Sequence, residues 1–340
     1  MMKNVFLVVI GLILIAACEP TIQAGGPVMR APVLALSAER ETRLIASDGK
    51  SLPMRRWLPD NAEKPTEAIL VALHGFNEYS NVFDDPASWW AGQRIAVYAY
   101  DQRGFGKSEP RGLWPGNPTL VRDLKDVVQA IRDCHPGIPI FLLGTSMGGA
   151  VIMSALDERY PGGQDLARQV SGIILSAPAV WGRSEMHPFF QLALWLSAHT
   201  LPANNVTGRG LGVQASDNIE MLRALGRDPL IIKQTRVDAV YGVVGMMDAG
   251  LAGAAGLKAE TLLLYGDNDQ IVPSHAIENV LQRLEAPYRY VRYPKGWHML
   301  LHDLQAKIVW QDIAAWIGDR KGALPSGHEI MKNKLASTAD

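Results

Sequence analysis

Cysteine is almost missing from this chain: Cys18 and Cys134 are the two in 340 residues, and Cys18 sits at the edge of an N-terminal apolar segment. Such a pair builds no disulfide framework, so stability is expected from core packing. A surplus of charge is missing as well. The 33 basic and 34 acidic side chains leave a formal net charge of -1, which supplies no field toward phosphate backbones or anionic lipid and excludes nucleic acid as an expected partner. No internal repeat is visible, which excludes solenoids and propellers. The N-terminal apolar run, Val5 to Ala17, falls short of the roughly 20 residues that span a bilayer.

What is present suits a large buried sheet. Hydrophobic residues make up 48% and charged residues 20% of the chain, a balance that argues against disorder. Six apolar runs end at turn residues: AILVAL (68–73), IAVYAY (95–100), IPIFLL (138–143), GIILSA (172–177), TLLLY (261–265) and YRYVRY (288–293). Runs that are apolar on both faces, with helical stretches between them, predict a mostly parallel sheet covered by helices on both sides. One such helix is expected from Thr119 to Arg132, with Thr119 as its N-cap; Met147 to Tyr160 and Leu304 to Ile317 are two more. Two short alternating runs over 42–58, broken at Ser47-Asp48-Gly49-Lys50, predict an antiparallel hairpin at the sheet edge. Between Pro178 and Lys258 no strand is evident, while Phe189 to Leu201 and Ile219 to Leu225 read as helical. The domain plan is therefore a core over 42–178 and 258–318, a helical cap over 179–257, a tether without fold over 19–41 and a flexible tail over 319–340.

The chemistry concentrates on one strand end. IPIFLL runs into Gly144-Thr145-Ser146-Met147-Gly148-Gly149 and then into a helix, the strand, turn and helix context that a G-x-S-x-G nucleophile elbow requires. A serine hydroxyl needs a base to take its proton. His298 is the candidate, because it follows the last strand on a loop, and His302 is its nearest rival. The base in turn needs a carboxylate, expected in chain order between serine and histidine. Asp269 is preferred to Asp267, which suits a turn residue. For the oxyanion, the amide of Met147 is one expected donor, and the amide of Phe76, in the loop His74-Gly75-Phe76-Asn77, is the other. Acyl transfer by these groups requires no metal and no cofactor. The segment Gly104-Phe105-Gly106-Lys107-Ser108 ends like a phosphate loop, but Asp101 stands where that motif wants glycine.

Taken together, HGFNEYS (74–80), YDQRGFGKSE (100–109), FLLGTSMGGA (141–150), YGDNDQIVP (265–273) and GWHMLLHD (296–303) make the chain resemble the monoacylglycerol lipase and lysophospholipase branch of the α/β-hydrolase superfamily, grouped with serine aminopeptidase-like hydrolases. That resemblance, over roughly residues 43–317, implies an α/β-hydrolase fold, Ser146 as nucleophile, His298 as base, and the aspartate three residues beyond Gly266, which is Asp269. It also implies a helical cap over an acyl pocket, for which Trp181, Phe189 and Tyr241 are candidate substrate contacts. Acyl-ester or lipid hydrolysis is the expected activity; peptide and thioester cleavage use the same triad, and a binding protein without turnover is the alternative from another class. Lys3, the apolar run and Ile15-Ala16-Ala17-Cys18 resemble the signal peptide and lipobox of bacterial lipoproteins. That likeness implies export, lipidation of Cys18 and attachment to an envelope membrane.

Overall fold

The computed structural model describes residues 19–37, 40–60, 65–157, 162–208, 210 and 212–330. The expected signal segment with Cys18, and the last part of the expected tail, lie outside these. The six apolar runs form β4 (Ala68–Leu73), β5 (Ile95–Tyr100), β6 (Ile140–Thr145), β7 (Gly172–Ser176), β10 (Thr261–Gly266) and β11 (Tyr288–Tyr293). They pair in parallel within one 10-stranded sheet of order β1-β2-β3-β5-β4-β6-β7-β10-β11-β12. The hairpin predicted over 42–58 is β2 (Glu41–Ile45) with β3 (Ser51–Trp57), antiparallel and followed outward by β1 (Val33–Ala35).

Why the sheet is covered on both faces can be read along β4. Ile69, Val71 and Leu73 enter one core, while Ala68, Leu70 and Ala72 enter the other, the period-2 alternation of a strand with no solvated face. The first core is closed by helices α2 (Asn117–Cys134), α3 (Met147–Ala155), α4 (Gly163–Gln169) and α8 (Ser274–Arg283), the second by α1 (Asp84–Gly92) and α9 (Ala306–Gly318). Leu120, Leu124, Val127 and Ile131 of α2 are fully buried at the spacing that predicted this helix.

Four expectations need correction. The segment from residue 19 onward is not a free tether: Gln23 N–H donates to the Trp114 carbonyl at 2.8 Å, Gly25 N–H to Thr119 Oγ1 at 2.9 Å, and β1 joins the sheet. Thr119 is accordingly not the N-cap of α2. Its hydroxyl serves Gly25, and the helix starts earlier, at Asn117, with Pro118 in its first turn. The tail is not wholly flexible, since β12 (Glu329–Ile330) pairs antiparallel with β11 and Glu329 holds Arg289. The cap is not strand-free, because β8 (Asn205–Val206) pairs with β9 (Thr235–Arg236). Its helices are α5 (Pro188–Thr200), α6 (Ile219–Arg227) and the long α7 (Val237–Gly253), which packs against α3.

Candidate active site

At the end of β6 the chain turns into α3 through Ser146, whose backbone adopts φ 49° and ψ -115°. A non-glycine residue in that region is strained and persists only where its surroundings enforce it. The enforcement is visible in the neighbouring glycines. A Cβ on Gly148 would meet the Leu73 carbonyl oxygen at 2.2 Å, and one on Gly144 would meet the Gly149 nitrogen at 2.4 Å. Only bare backbone lets α3 come this close to β4 and β6, and that approach forces the serine into the open.

Ser146 lines a cavity of about 280 Å³ together with Phe76, Glu78, Met247, His298 and His302. His298 stands on the irregular loop after β11, and its Nδ1 lies 2.8 Å from Asp269 Oδ2. A carboxylate only accepts, so Nδ1 carries the proton and Nε2 is left with a free lone pair. Nε2 has no protein hydrogen-bond partner among the described residues. The Asp269 side chain is fully buried, and its Oδ1 accepts the amides of Ile271 at 2.7 Å and Val272 at 2.9 Å. Both oxygens are thus fixed. Asp267 is turned away into an ion pair with Arg292 at 2.8 Å, as a surface residue of that turn.

The amides of Phe76 and Met147 carry no hydrogen bond to protein among the described residues. Met147 opens α3, where the N–H groups of the first turn have no partner inside the helix. Phe76 lies in the turn that follows β4, where Asn77 takes φ 67°. His74 follows that strand, fully buried, with Nδ1–H donating to the Gly75 carbonyl at 2.8 Å and Nε2 accepting the Gln102 amide at 3.0 Å. Burial holds it down at about 4, so it is neutral.

Several functional groups were missed from sequence. Glu78 accepts the Gly75 amide on Oε2 at 2.9 Å, and burial pushes its carboxyl above the ordinary range while this hydrogen bond opposes the shift. Asp303 accepts the Trp297 amide at 2.7 Å and the hydroxyl of Ser216 at 2.6 Å, and burial pushes it up to about 6. The only signal available was an acidic residue inside each motif, Glu78 in HGFNEYS and Asp303 in GWHMLLHD. The rival His302 does reach the cavity, where burial holds it at about 4, but the carboxylate is on His298.

The three cap residues chosen as substrate contacts do not line this cavity. Phe189 on α5 is 66% exposed and Trp181 39% exposed. Tyr241 lines a second cavity with Trp114 and His199, and its ring lies under the Arg183 guanidinium at 4.6 Å. The cap instead brings Ala215 and Met247 to Ser146. Periodicity finds the apolar residues of a cap but not which of them turn inward. Among the described residues no cluster of histidine, cysteine, aspartate and glutamate is arranged to hold a metal ion.

Residues 64–305 match the family model described as serine aminopeptidase, S33. The monoacylglycerol lipase of Mycolicibacterium smegmatis is 26% identical over 281 residues, covering 77% of this chain and 90% of that protein. The human monoglyceride lipase is 26% identical over 286 residues, covering 82% of this chain and 90% of that protein. Among solved structures, a soluble variant of the Saccharomyces cerevisiae monoglyceride lipase with a substrate analog matches at a TM-score of 0.69 and 20% identity, over 88% of this chain and 99% of that one. At that identity the likeness speaks for the fold, which is that of an α/β-hydrolase.

Proposed function

The chain belongs to the serine aminopeptidase S33 family, and from that premise we propose that it is a membrane-attached carboxylic ester hydrolase acting on single-chain acylglycerols, with Ser146, His298 and Asp269 as its triad. The observation that carries this reading is that His298, bonded to the buried Asp269 at 2.8 Å, lines the same cavity that Ser146 enters on a strained turn. Nε2 of His298 takes the proton of the Ser146 hydroxyl as Oγ attacks the ester carbonyl. The negative charge that develops on the carbonyl oxygen is met by the amides of Phe76 and Met147, both preset and unspent. Collapse expels the alcohol, which leaves with the proton from His298. Water, activated by the same nitrogen, then hydrolyses the acyl-enzyme and restores the serine.

Three features support a lipid substrate. The relatives named above are monoacylglycerol lipases. The cavity wall is largely apolar, with Phe76, Val82, Met247, Ile271, Leu300 and Leu301. Helix α5 carries no aspartate, glutamate, lysine or arginine and exposes Phe189, Phe190, Leu192 and Trp195, an apolar surface suited to contact with lipid. Attachment to an envelope membrane through lipidated Cys18, after cleavage of the signal, is the corresponding proposal for location.

The test is a substrate panel on wild type and Ser146→Ala: monoacylglycerols of several chain lengths, a triacylglycerol, a lysophospholipid, a short-chain ester and an aminoacyl anilide. The expected result is hydrolysis of monoacylglycerol above the other lipids and its loss in the variant. Anilide cleavage with inert acylglycerols sinks the substrate assignment, and an unimpaired alanine variant sinks the triad. A Cys18→Ser chain that partitions with membranes as wild type does removes the lipid anchor.

A further inference from the structure

The loop that carries His298 forms neither helix nor strand between β11 and α9, and its internal backbone bonds, from the amides of Gly296, His302 and Asp303, leave the amides of Trp297 and Met299 to other partners, so whatever holds these two holds the base. The residue on each side of His298 is fixed by a different group. Trp297 N–H donates to Asp303 Oδ2 at 2.7 Å, and Met299 N–H donates to the carbonyl of Ala215 at 2.9 Å. Ala215 belongs to a five-residue stretch at the edge of the cap, Gln214 to Asn218, that leads into α6.

This stretch is laced to the same loop at further points. Ser216, fully buried, donates its hydroxyl to Asp303 Oδ1 at 2.6 Å. Asn218 Nδ2 donates to the His302 carbonyl at 2.9 Å, and Asp217 Oδ1 accepts the Leu304 amide at 2.8 Å. At its other end Gln214 N–H donates to Gln270 Oε1 at 2.9 Å, on the residue next to Asp269. Asp303 is the one member with both oxygens committed, one to the loop and one to the cap. Bonds to a carboxylate are shorter and stronger than neutral ones.

We propose that Gln214–Asn218 is a strut by which the cap holds the catalytic loop, and that Asp303 is the positioning residue that joins the two, fixing the imidazole of His298 from behind. The idea rests on the triad reading above but concerns residues that reading does not use. A consequence is that this end of the cap is not a free lid. Lifting it withdraws the acceptor from Met299 and the donor from Asp303, and so unseats the base. Substrate entry must then come from movement elsewhere in the cap, with the strut kept in place.

The test compares Asp303→Ala, Asp303→Asn and Ser216→Ala with wild type in the full chain, reading kcat and KM on a soluble p-nitrophenyl ester, the rate of fluorophosphonate labelling, and Tm. Removing the joint lowers kcat and labelling rate in Asp303→Ala by about 10- to 100-fold, the scale set by small misplacement of a reacting group, with KM nearly unchanged. Asparagine restores most of the loss, because its oxygen accepts from Trp297 and its amide donates to Ser216 Oγ. Ser216→Ala loses about 2- to 10-fold, the worth of one hydrogen bond. A folded Asp303→Ala with wild-type kcat overturns the proposal. If that variant does not fold, wild-type kcat in Ser216→Ala overturns it, as does an Asp303→Asn chain of wild-type Tm that stays as slow as the alanine variant. These outcomes are separable from failure of the triad, which is read from Ser146→Ala alone.

Discussion

Asp269 divides its two oxygens between His298 and its own loop: Oδ2 faces Nδ1 of the imidazole at 2.8 Å, while Oδ1 is locked by the amides of Ile271 and Val272. The division makes Asp269→Asn informative. The two loop amides need an acceptor, so the asparagine oxygen takes the Oδ1 position and its NH2 faces the imidazole. Nδ1 must then accept, the proton moves to Nε2, and the base is in the wrong tautomer. The expected loss is about 10⁴-fold in kcat, with KM and fold retained. Asp267→Asn, by contrast, breaks only the partly exposed pair with Arg292 and leaves kcat within about twofold, since such pairs contribute little.

The elbow makes a second prediction, about stability. Gly148→Ala drives a methyl group to 2.2 Å from the Leu73 carbonyl oxygen and 2.7 Å from its carbonyl carbon, both backbone atoms that cannot swing aside. Helix α3 must move off β4, which costs about 1–3 kcal/mol or more in a packed core. A drop in Tm together with slowed fluorophosphonate labelling of Ser146 is expected. An alanine variant as stable and as reactive as wild type would show that the serine is not held out by this contact.

Glu78 is the third. Its carboxyl holds the Gly75 amide at 2.9 Å and so shapes the turn that presents the Phe76 amide. Glutamine keeps an acceptor at that place, and Glu78→Gln is expected to keep kcat within about fivefold. Glu78→Ala leaves the Gly75 donor unsatisfied in a buried turn and is expected to lower kcat by about 10-fold or more, approaching the cost of an oxyanion donor. Equal kcat in the two variants would assign the residue no part in shaping the turn.

The core of the fold was legible because each buried parallel strand writes an apolar run ended by glycine or another turn residue, as at Leu73, Thr145 and Gly266. The triad was legible for the same reason: the elbow and the two later loops sit at strand ends, where chain order alone says what meets what. Helix α7 was not seen, since it is apolar nearly all round and shows no face to read. Nor was the strut visible, because Ser216 and Asp303 are 87 positions apart and Ser216 belongs to no motif that would pair it with the loop of His298. The N-terminal segment misled for a plain reason. Proline and glycine remove helix and strand signals, but backbone amides such as those of Gln23 and Gly25 still bond wherever the core offers an oxygen.

Buried histidines give the last prediction, the response of stability to acid. His74 is held at about 4 by burial, against an ordinary value of 6.5, so the unfolded chain binds a proton that the folded chain refuses. Its contribution is complete above pH 6.5 and is lost as pH falls from 6.5 toward 4, amounting to about 3 kcal/mol at one group. His302, also held at about 4 by burial, acts in the same direction. Asp303, raised to about 6 by burial, acts in the opposite one: its folded form takes a proton first, so it favours the fold at low pH and that gain fades as pH rises through 6. For these three groups the sum is a loss of stability between pH 6.5 and 4 that Asp303 partly offsets. Asp303→Asn removes the offset, so its Tm should fall more steeply with acid than that of wild type. His74→Asn, less stable at pH 7 because the Gln102 amide loses its acceptor, should show the shallower curve. Thermal unfolding at half-unit pH steps decides it, and parallel curves for His74→Asn and wild type would mean that His74 is not the group that refuses the proton.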